Sequence, residues 1–174
     1  AKFFGTFAAQ VPPGGTVVDL GAGDGTLAQK LAVDGTRVIA VDSKEPSMRK
    51  LGVEWIISSV QDWVNAMAPD FTADAFLLKN ILQFMEKAWV LETLLPTLAM
   101  HLKRGGVIGI ETFHAPSDPP FKTHISFYRA TELQKSFKGW KVILQEESEE
   151  TAKDINKNEK KFSLTRIIVR KQVN

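Results

Sequence analysis

A chain of 174 residues is long enough for one well-buried core, and 44% apolar against 24% charged residues is the balance of an ordinary globular domain. The formal net charge is only +2, too small an excess to mark a nucleic-acid surface, which needs clustered Lys and Arg. The absence of cysteine excludes disulfides, thiolate nucleophiles and Cys-ligated metal and accords with a cytoplasmic location; no apolar run is long enough to span a membrane, and there is neither a signal-peptide pattern nor an initiating Met, as in a processed or trimmed chain.

Phe3, Phe4 and Phe7 mark one apolar face of a short leading helix. Val11–Pro12–Pro13–Gly14–Gly15 is a turn. Thr16 to Leu20 reads as the first strand, and Gly25 to Val33 as a helix with Leu27, Ala28 and Leu31 inward, ended by Asp34–Gly35. Arg37 to Val41 is the second strand, closed by Asp42, and Pro46 suits the first turn of a following helix. Val53 to Ile57 is the third strand, after which Asp62 is placed to cap a helix through Met67. Asp74 to Leu78 is the fourth strand. Lys87 to Leu102 is a long helix in which Pro96 introduces a kink, and Gly106 to Glu111 is the fifth strand. Residues 112–126 read as a loop carrying Pro116, Pro119 and Pro120. Thr131 is expected to cap a helix through Phe137. Trp140 to Leu144 and Phe162 to Val169 are the last strands, placed as an antiparallel pair at a sheet edge. Glu146 to Lys161 is expected to be a solvated connection, with Arg166, Arg170 and Lys171 discouraging edge pairing.

Short apolar strands alternating with helices predict an α/β domain over residues 1–174: a Rossmann-like, mostly parallel seven-stranded sheet with an antiparallel final strand and helices on both faces. The strand Val17–Leu20 enters three glycines at alternate positions, Gly21, Gly23 and Gly25. Asp19 and Asp42 fall at the carboxyl edges of adjacent strands, where open α/β sheets bind ligands. A dinucleotide fingerprint fails, because Thr26 stands where the third glycine belongs, and no Gly-Lys-Ser/Thr follows for a phosphate loop. Asp19 and Asp24 repel a diphosphate. A cationic adenosine ligand without phosphates fits better, with Asp42 accepting hydrogen bonds from a ribose diol.

Asp19–Leu20–Gly21–Ala22–Gly23–Asp24–Gly25 resembles the glycine-rich first motif of the class I S-adenosylmethionine-dependent methyltransferases. The likeness runs through nearly all of the chain: Asp42 after strand two, Val53 to Ile57, Asp74 to Phe84, and Leu102–Lys103–Arg104–Gly105–Gly106–Val107–Ile108 at the turn into strand five. The resemblance implies S-adenosyl-L-methionine as cofactor. Backbone at Gly21, Ala22 and Gly23 would lie along its methionine part, Asp19 would orient its ammonium group, and Asp42, followed by Ser43, would hold the ribose. Where many members carry an acid for the adenine, this chain has Ser59 and Val60, and an acid only at Asp62. Lys79 would offer backbone to the methionine end, its side chain turned away from the sulfonium.

The short domain and the Leu-Gln-Phe after strand four resemble small-molecule members, including tellurite-resistance and thiopurine-like groups. The implied partner is a small-molecule methyl acceptor, and the protein a monomer or homodimer with no membrane association. RNA or protein methylation, and a non-catalytic cofactor-binding subunit, are the alternatives. The Asn/Asp-Pro-Pro-Tyr signature of amino-directed DNA enzymes is absent, so nucleic acid is possible without being favoured.

His114, His124 and Tyr128 are the catalytic candidates, because they follow strand five on the side expected to face the acceptor. Glu111 ends that strand and is a candidate acceptor contact. A Glu111–His114–His124 metal set has irregular spacing, and no metal is expected. His101 suits a helix C-terminus, Phe127 reads as core, and Trp55 and Trp63 as core or adenine-lining aromatics.

Overall fold

The computed structural model describes residues 2–33, 35–154 and 156–173. Seven strands form one sheet in the order β3-β2-β1-β4-β5-β7-β6: β1 (Thr16–Leu20), β2 (Arg37–Asp42), β3 (Val53–Ile57), β4 (Ala73–Lys79), β5 (Leu102–Asp118), β6 (Lys141–Lys153) and β7 (Glu159–Arg170). β1 through β5 pair in parallel. β7 is antiparallel to both β5 and β6, so it alone runs against the sheet. This is the expected Rossmann-like architecture, with its strand order reversing between β1 and β4.

Each face of the sheet owns a core, because side chains alternate along a strand. Val17, Ala75, Leu77, Val107 and Ile168 pack with α1 (Lys2–Ala8) and α2 (Thr26–Leu31), through Phe3, Phe7, Ala28 and Leu31. Val18, Leu20, Phe76, Leu78, Ile108 and Ile110 pack against helices on the opposite face. These are α3 (Val60–Asn65), α5 (Leu95–His101) and α6 (Ala130–Lys135). Gly109 gives Phe7 room to lie on the sheet, since a Cβ there would meet the Phe7 ring at 2.5 Å. The helical run before α5 opens with α4 (Lys87–Trp89) and passes through a π turn, Val90–Leu94. The π turn falls just ahead of Pro96, which has no N–H to continue the ladder.

Several expected boundaries shift. Asp34, expected with Gly35 to end α2, lies outside the described residues. No helix follows Pro46: residues 43–52 are irregular, Met48 and Leu51 point to solvent, and Gly52 takes a positive φ of 75°. With no buried apolar stripe, nothing offsets the entropy of ordering a helix there. Ser59, not Asp62, caps α3; its hydroxyl accepts the Asp62 N–H at 3.0 Å. Thr131 lies inside α6, and the cap comes from β6, where Glu147 Oε1 accepts the Ala130 N–H at 2.9 Å.

The largest departure is at the far side of the sheet. Residues 112–118, expected as loop, continue β5, with register shifts between Phe113 and Ala115 and between Ala115 and Asp118. Glu146 to Lys161 is no solvated connection, because its flanks extend β6 and β7 into a long hairpin. The acidic run is split by period two. Glu146, Ser148 and Glu150 all reach Arg166, whereas Glu147 takes Arg129 and the start of α6, and Glu149 takes His114 and Ser163. Arg166 therefore guards no edge; it lies within the sheet. Arg170 donates to Gln10, and Lys171 Nζ to the carbonyls of Ala99 and Leu102. His101 is buried at the end of α5, its Nδ1 donating to the Phe71 carbonyl at 2.7 Å.

Candidate active site

At the carboxyl edge of β1 the chain turns through Gly21, whose N–H donates to the Val41 carbonyl at 2.8 Å. Its φ of 76° is left-handed, and a Cβ there would stand 2.8 Å from the Ile81 side chain. Both facts demand glycine. Gly25 serves packing instead, since a side chain there would run into the Trp55 ring. Trp55 and Trp63 are half-buried and pack against the two cores, the latter edge-on to Phe71 at 5.9 Å.

Asp42 ends β2 and stitches the loops together. Oδ2 accepts the Gly23 N–H and Oδ1 the Lys44 N–H, both at 2.9 Å. Each carboxylate oxygen keeps a further lone pair for a ligand hydroxyl. Asp42 lines a cleft of about 190 Å³ with Gly21, Ser43, Ser59 and Val60, all expected at the site. The other walls are Gln61, Ile81, Phe84 and Met85, which the sequence reading missed. Ile81, Phe84 and Met85 are brought there by a 3₁₀ turn, Leu82–Phe84, directly after β4. The one available signal was the position of this segment after the fourth strand. Ala22 flanks the loop, its N–H on the Val41 carbonyl at 3.1 Å, without lining the cleft. Ser59 lines it while its hydroxyl is engaged as the α3 cap.

Asp19 is nearly fully buried one step behind the glycine turn. Burial, and then repulsion from Asp42, push its pKa up to about 7, against the opposing charge of Lys79. A buried acid without a full counter-charge is relieved either by a proton or by a cation. An adenosine ligand bearing an ammonium group thus fits both acids: Asp42 faces the cleft with lone pairs to spare, and Asp19 needs positive charge. Lys79 Nζ lies 2.9 Å from Glu111 Oε1.

The catalytic candidates separate. Tyr128 is wholly buried in the core on the α3–α6 face, and burial raises its phenol to about 12. It is a packing residue, and neighbouring Phe127 is only half-buried. His114 sits at the β5 register shift with both ring nitrogens facing acceptors, Nδ1 the Leu164 carbonyl at 3.2 Å and Nε2 Glu149 at 3.1 Å. Both nitrogens are thus engaged within the protein. His124 alone stays beside the cleft, edge-on to Phe84 at 5.4 Å and stacked on Phe113 at 5.1 Å. Burial, reinforced by the Lys160 charge, lowers its pKa. The segment carrying it is pinned rather than free, since Ile125 and Ser126 donate backbone N–H groups to the Gln83 carbonyl. Glu111, His114 and His124 do not converge, and among the described residues no three His, Asp or Glu side chains are placed to share a metal.

A larger depression of about 550 Å³ lies where β6 begins, at the opposite edge of the sheet, and offers lysines and aromatics but no acid or histidine. Among the described residues no helix is long and apolar enough to cross a membrane.

Comparison with known proteins agrees with this fold. The solved structure of TehB from Haemophilus influenzae superposes with a TM-score of 0.81 at 20% identity, covering 99% of this chain and 62% of that one. The 1,6-didemethyltoxoflavin-N1-methyltransferase of Burkholderia thailandensis, solved with S-adenosylhomocysteine, gives 0.68 at 17% identity over 98% of this chain and 77% of its own. A trans-aconitate 2-methyltransferase from Azoarcus sp. (strain BH72) is 33% identical over 103 residues, 55% of this chain and 38% of that protein. The chain thus spans well under half of that relative and under two thirds of the Haemophilus protein. The family model described as tellurite resistance protein TehB matches residues 6–168. With that match across nearly its whole length and the strand order described above, the chain belongs to the TehB family and has the class I S-adenosylmethionine-dependent methyltransferase fold.

Proposed function

We propose that the protein binds S-adenosylmethionine in the cleft lined by Asp42, with Asp19 at its methionine end, and directs methyl transfer to a small-molecule acceptor. The observation that carries this reading is the pairing of the two acids: Asp42 lines the cleft, and Asp19, buried on the adjacent strand, feels its charge. The cofactor, when bound, supplies a methyl group already activated by its sulfonium, so the transfer is an in-line displacement. What remains for the protein is orientation and exclusion of water, which contribute several kcal/mol in favourable systems. Asp42 holds the ribose hydroxyls, Val60 and Gln61 flank the adenine end, and Ile81, Phe84 and Met85 form an apolar wall. The small acceptor is supported by the relatives, whose own names specify trans-aconitate and 1,6-didemethyltoxoflavin.

Isothermal titration should show S-adenosylmethionine and S-adenosylhomocysteine binding at one site, and radiolabelled methyl donor should label a member of a small-molecule acceptor panel. Failure of both nucleosides to bind the folded protein would sink the reading. Binding without transfer to any acceptor would point to a non-catalytic subunit, and labelling of RNA or protein alone would displace the small molecule. His124 is the proposed proton acceptor for acceptors that must lose one. It is held neutral by burial and the Lys160 charge, and it touches the cleft wall through Phe84. His124→Gln should slow turnover about 100-fold with cofactor affinity retained. Full turnover in that variant removes the histidine from the chemistry.

A further inference from the structure

The α1 face of the sheet carries a charged row that methyl transfer itself does not demand. Lys79, Glu111, Arg166 and Glu146 are registered partners across β4, β5, β7 and β6. Glu111 is its centre, with a side chain only 7% exposed. Oε1 lies 2.9 Å from Lys79 Nζ, and Oε2 accepts the Arg166 Nε–H at 2.6 Å. Arg166 is itself held by Glu146, Ser148 and Glu150, so the Glu111 carboxylate has a fixed orientation.

Lys79 stands between two acids. Asp19 lies on the same face of the neighbouring strand β1, and its registered partner on β4 is Leu77, two residues before Lys79. The lysine pairs with Glu111, and its charge reaches Asp19 only at longer range. An ammonium on a flexible stem goes to the carboxylate whose geometry is already set, because least is lost in ordering it.

We infer that Glu111 is a positioning residue: by holding the Lys79 ammonium on the β5 side, it keeps the Asp19 carboxylate open for the ammonium group at the amino-acid end of the cofactor. Without Glu111, Lys79 swings to Asp19 and competes with the ligand, ammonium against ammonium, for one seat. This rests on the reading of Asp19 as the ammonium site.

The test uses two ligands that share the adenosine and differ at that seat: S-adenosylhomocysteine carries the ammonium group, and 5′-methylthioadenosine lacks the amino-acid portion. Glu111→Gln should weaken S-adenosylhomocysteine about tenfold and leave 5′-methylthioadenosine within about twofold of wild type. Adding Lys79→Met to Glu111→Gln should recover most of the lost affinity, because the competitor is gone. Retained binding of 5′-methylthioadenosine also reports that the variant cleft is folded. Unchanged S-adenosylhomocysteine affinity in Glu111→Gln, equal losses for both ligands, or no recovery in the double variant overturns the positioning role. Failure of the wild type to bind either ligand overturns the cofactor reading beneath it.

Discussion

S-adenosylhomocysteine should bind about tenfold more weakly for each pH unit below 7, down to the lower pKa that Asp19 takes in the complex. The free protein holds the Asp19 carboxyl near 7, through burial first and Asp42 second, while the ligand ammonium requires the ionised form. Binding below that pH must release a proton, and above it the affinity levels off. Titration calorimetry in buffers of different ionisation enthalpy reads both the affinity and the proton. A flat affinity between pH 5.5 and 8 removes Asp19 from the ammonium site. The same group acts on stability in the opposite sense. Its folded pKa lies above that of an ordinary aspartate, 3.8, so the native state binds the extra proton in that window. Its contribution to stability is therefore complete at low pH and is lost as pH rises through about 7. Asp19→Asn should melt higher than wild type at pH 8 while binding ligand more weakly.

Asp42→Ala should weaken cofactor binding by about 1–3 kcal/mol, a factor of roughly 5–150, if its carboxylate makes charged hydrogen bonds to the ribose diol. The variant also loses the bonds to Gly23 and Lys44, but both lie in exposed loop backbone where water replaces them, so folding suffers less than binding. It carries a second signature as well. Without the Asp42 charge the Asp19 pKa falls, and the pH at which affinity begins to drop moves lower. Unchanged affinity in the folded variant, measured by calorimetry, refutes the ribose role.

The part of the fold written in local pattern was legible. β1 to β4 are apolar runs bounded by turn residues, and the glycines and Asp42 announce themselves at strand ends. What escaped reading was structure held by partners distant in sequence. Glu146 to Glu150 looks like a solvated run until period two sends alternate acids to opposite faces, a division visible only once β7 lies alongside. Proline at 116 argued for a loop, yet two register shifts absorb the irregularity and let β5 continue to Asp118. Ser59 was read for its chemistry and is also a helix cap. In the site, the polar residues were legible because few other roles suit an acid at that edge. Ile81, Phe84 and Met85 were not, because an apolar residue becomes a cleft wall only through the turn that aims it. Tyr128 and His114 followed the right strand, but packing drew one into the core and the strand irregularity bound the other to Leu164 and Glu149.

β6 pairs with the rest of the sheet only through β7, although β7 follows it in the chain. Glu146, Ser148 and Glu150 lie 16–20 positions from Arg166 in one hairpin, whereas Glu111 must wait for Arg166 55 positions downstream, much as the first strand meets the fourth across 58. Such non-local closure carries its entropic cost before its contacts form, so it comes late along the folding route. The Glu111–Arg166 link is then expected to form after the β6–β7 hairpin. Interactions made after the barrier act on the rate of escape from the native state. Loss of the Glu111–Arg166 pair is thus expected to quicken unfolding more than it slows folding.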